Sequence, residues 1–283
     1  MMVQSGIEQE QDGLAKLSWI QSGTHTGAAD TTYTASGKFL QWSGGLDLRW
    51  HMANNIFVSA LRRRLCLPET NTPLACPHVH QHRPPGSHVN LADHFGHQLT
   101  CTVGITSGVR NRHNYICGSL SDLLRSDPLG DGPVPANVVA REVDVGHKPD
   151  GTVLRADVIF TENHNQQNAI RIVIDVTVPE PYNRHGIGRL PGAAVEHAAI
   201  GKIADYAAVA REPNTVFVPF ALDSNGHIGS HATSFLNRLK QGNPAYGPRI
   251  KHFLQEVSFH LAKQTAVAAE AGRAAAYQAL WHH

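Results

Sequence analysis

Apolar positions along the chain change period several times, and those changes outline the elements. From Asn54, the segment NNIFVSALRRRLCLP is apolar at positions 56, 57, 60 and 61, the spacing of a helix, and it ends at Pro68. A second helix is expected from about Arg112 to Arg125, with Tyr115, Ile116, Leu120, Leu123 and Leu124 on one face and the turn residues DPLGDGP after it. The period then drops to that of strands. Three runs rich in Val and Ile, Val138 to Val145, Val153 to Phe160 and Ala169 to Val178, are separated by HKPDG and ENHNQQN. An Ala-rich helix from Gly192 to Arg211 and a fourth strand from Thr215 to Leu222 complete an α-β-β-β-α-β order in an α/β (α+β) fold. Beyond Thr233 the pattern is helical to Trp281, with Pro244 and Pro248 expected to split it.

Four segments follow from this pattern: 1–53, with few periodic apolar positions; 54–105, a helix and a Pro/His/Gly-dense stretch; 106–240, the α-β-β-β-α-β core; and 241–283, C-terminal helices. The 283 residues suffice for one large domain or two small ones, and 41% hydrophobic with 17% charged residues excludes a wholly disordered chain. No apolar run approaches a membrane span, and the polar start MMVQSGIEQEQDG lacks the features of a secretory signal, so an intracellular protein is expected. Net charge is +1 with histidine neutral, which does not announce a polyanion binder. The 19 histidines would raise it to about +20 once protonated, roughly below pH 6.

Residues 68–101 have too few apolar side chains to form a core unaided, and a metal would explain how they fold. Cys76, His78 and His80 on one side and His97 with Cys101 on the other form two closely spaced ligand groups, which suits a tetrahedral structural zinc. Cys76, His97 and Cys101 are the expected ligands, with His78 or His80 as the fourth. Cys66 and Cys117 read as ordinary packing residues. Arg62, Arg63 and Arg64 read as a solvated basic face, with phosphate contact as the rival role.

Asp157 in LRADVIF and Asp175 in IVIDVTV each interrupt an apolar strand, where an ionised carboxylate is costly unless it is paired or binds a cation. Strands adjacent in sequence tend to pair, which would bring the two carboxylates together, with Glu142 able to add a third oxygen. Such a cluster suits Mg²⁺ or Mn²⁺, and Lys202 on the following helix could set a positive charge beside it. The plainer alternatives are a salt bridge from Asp175 to Arg155 or Arg171 and a surface-exposed Lys202.

The succession RLCLP, CPHVH, DHFGHQLTC, RHN at 112–114, RADV at 155–158, IDVTV at 174–178 and Lys202-x-x-x-Tyr206 resembles the C-terminal region of non-LTR retrotransposon reverse transcriptase proteins. There a cysteine/histidine zinc motif precedes a restriction-enzyme-like endonuclease of the PD-(D/E)XK superfamily. The resemblance runs from about Asn54 to about Lys240. It implies that Asp157 and Asp175 are the catalytic metal ligands, that Glu142 is an auxiliary acid, and that Lys202, displaced from the strand to the helix, is the catalytic lysine, with Thr177 at the older lysine position. It further implies DNA contacts from Arg112, His113, Tyr206 and Arg155. Ala156 stands where the family usually has proline, and the reverse transcriptase signature itself is absent from the chain.

The expected function is therefore a Mg²⁺- or Mn²⁺-dependent DNA endonuclease with a structural Zn²⁺, partnered by DNA and, by resemblance, by a reverse transcriptase or element RNA, in the nucleus or elsewhere inside the cell. A catalytically decayed DNA-binding remnant is the main rival, supported by Arg238, Lys240, Arg249, Lys251 and Lys263 against Glu256 as the acid in that stretch. A zinc-stabilised structural protein with no nucleic-acid role is a third.

Overall fold

A computed structural model describes residues 52–64, 74–76, 89–91, 106–125, 138–148, 150–162, 169–181 and 192–281. The described elements are α1 (Asn54–Arg64), α2 (Thr106–Arg125), β1 (Val139–His147), β2 (Val153–Glu162), β3 (Ile170–Thr177), α3 (Ala193–Asp205), a 3₁₀ turn (Val209–Arg211), β4 (Thr215–Ala221), α4 (Ser230–Gly242) and α5 (Tyr246–Trp281). From α2 to β4 their order is α-β-β-β-α-β. The protein is thus a mixed α/β structure with five described α-helices and one four-stranded mixed sheet.

The chain divides into two compact units. One holds the described residues of 113–179 and 192–257, and the other the described residues of 1–112, 180–191 and 258–283, so α2 and α5 each contribute residues to both.

The first unit is built on the sheet, in the order β1-β2-β3-β4. β1 and β2 pair antiparallel, as do β2 and β3, whereas β3 and β4 are parallel and joined through α3. The β1–β2 turn closes with Lys148 N–H donating to Thr152 O at 2.8 Å, Asp150 Oδ1 accepting from Thr152 N–H at 2.9 Å, and Gly151 at φ 83. That left-handed angle is why glycine stands there. β3 is central, and its IRIVIDVT sequence is apolar on both faces because both are covered. Ile172 and Ile174 occupy one face, while Val173 shares the other with Asp175 and packs with Leu154, Ala156, Ile159, Tyr206 and Val209. Pro219 pairs across from Asp175 in β4, an edge strand of the sheet, where a missing N–H is tolerated.

α3 packs Val195 and Ala199 on Ala221 of β4. Gly192, before the helix, has φ 77, and a side chain there would collide with the His227 ring. Glu196 of α3 caps α4: its Oε1 accepts the Ser230 N–H at 2.7 Å and its Oε2 the Ser230 hydroxyl at 2.9 Å.

The second unit gathers α1, the 258–281 part of α5 and a short antiparallel bridge. Met52, Phe57, Ala60 and Leu61 pack on Phe259 and Ala266. Leu74, Cys76, Val89 and Leu91 pack with Ala268 and Ala276, and the bridge closes through Cys76 N–H to Val89 O and Leu91 N–H to Leu74 O, both 2.7 Å. Cys76 is thereby buried among apolar side chains, whereas the other expected zinc ligands, His78, His80, His97 and Cys101, lie outside the described residues.

Two expectations are corrected here. Arg63 is not a solvated basic residue: it is 3% exposed and forms an ion pair with the equally buried Glu180. Pro248 does not split the C-terminal helix, because it lies in the first turn of α5, where its N–H would have no helical partner in any case. Pro244 does fall in the break between α4 and α5.

His260 in α5 carries a pH prediction. Burial, assisted by the charge of Lys263 a turn away, lowers its pKa from 6.5 to about 4. A histidine held neutral in this way adds stability above pH 6.5, and that stability is lost as pH falls through about 4. Because the ring is only partly buried, the expected loss is on the order of 1–2 kcal/mol. Urea melts of wild type and His260→Gln at pH 7 and pH 4.5 should show wild type losing more stability than the variant. Equal losses would contradict the assignment.

Candidate functional site

The β2–β3 ladder is regular from Glu162↔Ile170 to Val158↔Ile174 and stops there. The next residues across from each other are Asp157 and Asp175. Asp157 Oδ2 accepts the Val176 N–H at 2.6 Å, so a side-chain oxygen takes the role a strand carbonyl would have had. The ladder thus ends beside two aspartates, near enough for the charge of Asp157 to act on the Asp175 carboxyl.

Asp175 is 5% exposed. Its Oδ1 accepts the Tyr206 hydroxyl at 2.8 Å, and Lys202 Nζ lies 2.7 Å from Oδ2. Lys202 and Tyr206 are four residues apart at the end of α3, which places both side chains on one face of the helix. Burial pushes the Asp175 carboxyl above its usual range, Lys202 counters this, and the charge of Asp157 adds to the rise. Two carboxylates that repel each other in a desolvated setting fit a divalent cation, which would relieve both penalties.

His113 reaches Asp157 from α2. Its Nε2 is 3.2 Å from Asp157 Oδ2 and 3.1 Å from Val176 O. The hydrogen bond to Asp157, and then that to Cys117, push the His113 pKa up to about 11, so in this arrangement the ring is a cation at neutral pH and donates to both oxygens. Cys117, one helical turn further along α2, sets its Sγ 3.7 Å from Nε2 and from Nδ1, and burial raises its thiol pKa.

The remaining expected site residues divide. Asp157, Asp175 and Lys202 come together, and His113 joins them. Tyr206 belongs to the cluster as well, but in a different role from the expected DNA contact: it is 2% exposed, stacks on Phe217 at 4.3 Å, and its hydroxyl faces Asp175 Oδ1 and, at 2.7 Å, Arg155 O. Burial also raises the phenol pKa, so it stays a donor. Arg112 is corrected too. It is 3% exposed with its guanidinium facing Thr265, and so is withdrawn from any phosphate. Arg155 stays exposed, paired with Asp144 at 2.8 Å. Neither it nor Arg171, which pairs with Glu212, takes the salt bridge to Asp175. Glu142 lies across the ladder from Asp157, between the pairs Arg141↔Val158 and Val143↔Ala156. It is exposed, with φ 53, and it is not in the group of donor atoms within 4.8 Å of one another that includes Asp157.

Cys117 is the residue that the sequence reading missed. Its signal was present as a histidine and a cysteine four apart on one helix, but a cysteine on the apolar face of a helix is ordinarily packing. Only the approach of Asp157 from β2 gives the pair a third partner.

Tyr206 holds Asp175 through its hydroxyl. Tyr206→Phe keeps the stack on Phe217 and removes the hydroxyl, at an expected cost of about 1 kcal/mol in stability. The loss should appear in urea melts in metal-free buffer, because Asp175 Oδ1 loses the Tyr206 hydroxyl. Unchanged stability in the variant would remove this role.

No helix among the described residues is long and apolar enough to cross a membrane. No family model matches the chain, and no curated protein matches it.

Proposed function

We propose that this chain is a metal-dependent endonuclease with a PD-(D/E)XK-like core, which hydrolyses phosphodiester bonds and nicks DNA. The observation that carries the reading is Lys202 Nζ 2.7 Å from the buried Asp175, with Asp157 near enough for its charge to act on that carboxyl, where the β2–β3 ladder stops. The α-β-β-β-α-β order supports it further, and DNA as substrate follows from the resemblance in sequence.

Asp157 and Asp175 would hold a Mg²⁺ or Mn²⁺ ion, which supplies Lewis acidity toward a phosphoryl oxygen and a lowered pKa for bound water. Lys202 brings a compact positive charge to the edge of the carboxylate pair, where it orients water and stabilises the negative charge that develops on the phosphoryl oxygens. Its side chain is one-third exposed, so it can serve a substrate arriving from solvent. Tyr206 fixes Asp175 from below. His113 fixes Asp157 and adds a second cation against a phosphate backbone.

Incubation of the full chain with supercoiled plasmid tests this. Nicked circles are expected with Mg²⁺ or Mn²⁺ and none with EDTA. A folded protein that binds plasmid but never nicks it would instead support the non-catalytic DNA-binding reading.

A further inference from the structure

His113, Cys117 and Asp157 offer a nitrogen, a sulfur and a carboxylate oxygen that lie within 4.8 Å of one another, on two elements of one compact unit. The set is chemically unlike the oxygen-only pair of Asp157 and Asp175. A thiolate and an imidazole are ligands for Zn²⁺ and its softer neighbours, and are poor ones for Mg²⁺.

The spacing can be tested against zinc geometry. Tetrahedral bonds of about 2.05 Å to nitrogen, 2.1 Å to oxygen and 2.3 Å to sulfur put nitrogen and sulfur about 3.6 Å apart, and nitrogen and oxygen about 3.4 Å apart. The corresponding distances here are 3.7 Å from Nε2 to Cys117 Sγ and 3.2 Å from Nε2 to Asp157 Oδ2. Both agree within about 0.2 Å, while Sγ, equally far from Nδ1, lies beside the ring, so an ion enters once the His113 ring or the Cys117 side chain turns to bring Sγ toward the Nε2 lone pair. The backbone placement is also fixed: His113 and Cys117 are one turn apart on α2, the Ser121 hydroxyl bonds Cys117 O at 2.8 Å, and the Val176 N–H anchors Asp157.

We propose that His113, Cys117 and Asp157 form a three-ligand site for a zinc-class ion, with a fourth position open to water, separate from the expected Cys/His zinc motif. Binding displaces the proton of His113 Nε2 and that of the Cys117 thiol. Because Asp157 belongs to both sets, a zinc-class ion and the hydrolytic Mg²⁺ compete for it. This consequence rests on the endonuclease reading, while the site itself does not. Zn²⁺ would then act as an inhibitor of cleavage, relieved when Cys117 is lost.

Cobalt is the probe, since Co²⁺ substitutes for zinc and a thiolate ligand gives it a charge-transfer band. The full chain is titrated with Co²⁺ as wild type, Cys117→Ala, His113→Gln and Asp175→Asn, each checked for native circular dichroism. The thiolate charge-transfer band per chain is expected to fall in Cys117→Ala and His113→Gln and to keep its wild-type intensity in Asp175→Asn, whatever Co²⁺ the carboxylate pair also takes. An undiminished thiolate band in Cys117→Ala and His113→Gln, both folded, would overturn the site. In the nicking assay at fixed Mg²⁺, added Zn²⁺ should inhibit wild type at least tenfold more strongly than Cys117→Ala. Equal inhibition would overturn the competition. Absence of nicking with every metal would count against the endonuclease reading alone, leaving the cobalt result to decide the site.

Discussion

Exchange of Asp175 for asparagine is expected to lower DNA nicking about a thousandfold while the melting temperature at neutral pH stays level or rises. The first half follows from the loss of a metal-holding oxygen, an interaction worth several kcal/mol in reactions of this type. The second follows from linkage. Burial raises the folded-state pKa of Asp175 above its ordinary 3.8, so its contribution to stability is present below that value and is lost as pH rises through the raised one. At neutral pH the ionised carboxylate therefore opposes folding. Asparagine keeps the shape and can still accept the Tyr206 hydroxyl at 2.8 Å, and the one-third-exposed Lys202 can turn to water when its partner is lost. A structural salt bridge would behave in the opposite way, with a clear fall in melting temperature in metal-free buffer. Thermal melts in EDTA beside the nicking assay separate the two.

The largest effect on stability is expected away from that site. Arg63→Met should cost about 3–5 kcal/mol, because it leaves Glu180 charged and uncompensated in a setting where both side chains are about 5% exposed. The same argument predicts recovery. Adding Glu180→Met should return most of the loss, since an apolar pair of similar volume removes both desolvation penalties together. Urea unfolding of the two single variants and the double variant measures the coupling directly. Additive losses would show that the arginine stem, rather than the ion pair, carries the energy.

The strands and the aspartates were legible because their signals are local. Asp157 and Asp175 stand out as single charges in runs of Val and Ile, and Lys202 with Tyr206 reads from a spacing of four on one helix. What could not be read is partnership across the sequence. Three adjacent arginines look like a solvated face until Glu180, 117 residues further on, is set against the middle one. Arg112 looks like a phosphate contact until its burial and the approach of Thr265, 153 residues away, are known. Glu142 fails for a subtler reason: strand alternation gives its face only if the backbone stays extended, and φ at that residue is 53. Cys117 fails because its role depends on a carboxylate from another element.

The central claim, that Asp157 and Asp175 together support phosphodiester cleavage, is tested most directly by following supercoiled plasmid with wild type and Asp175→Asn side by side in Mg²⁺, Mn²⁺ and EDTA. Nicked circles from wild type with either metal, and from neither the variant nor the EDTA control, is the predicted result. Equal nicking by wild type and a folded Asp175→Asn, or none by a folded wild type with either metal, would contradict it.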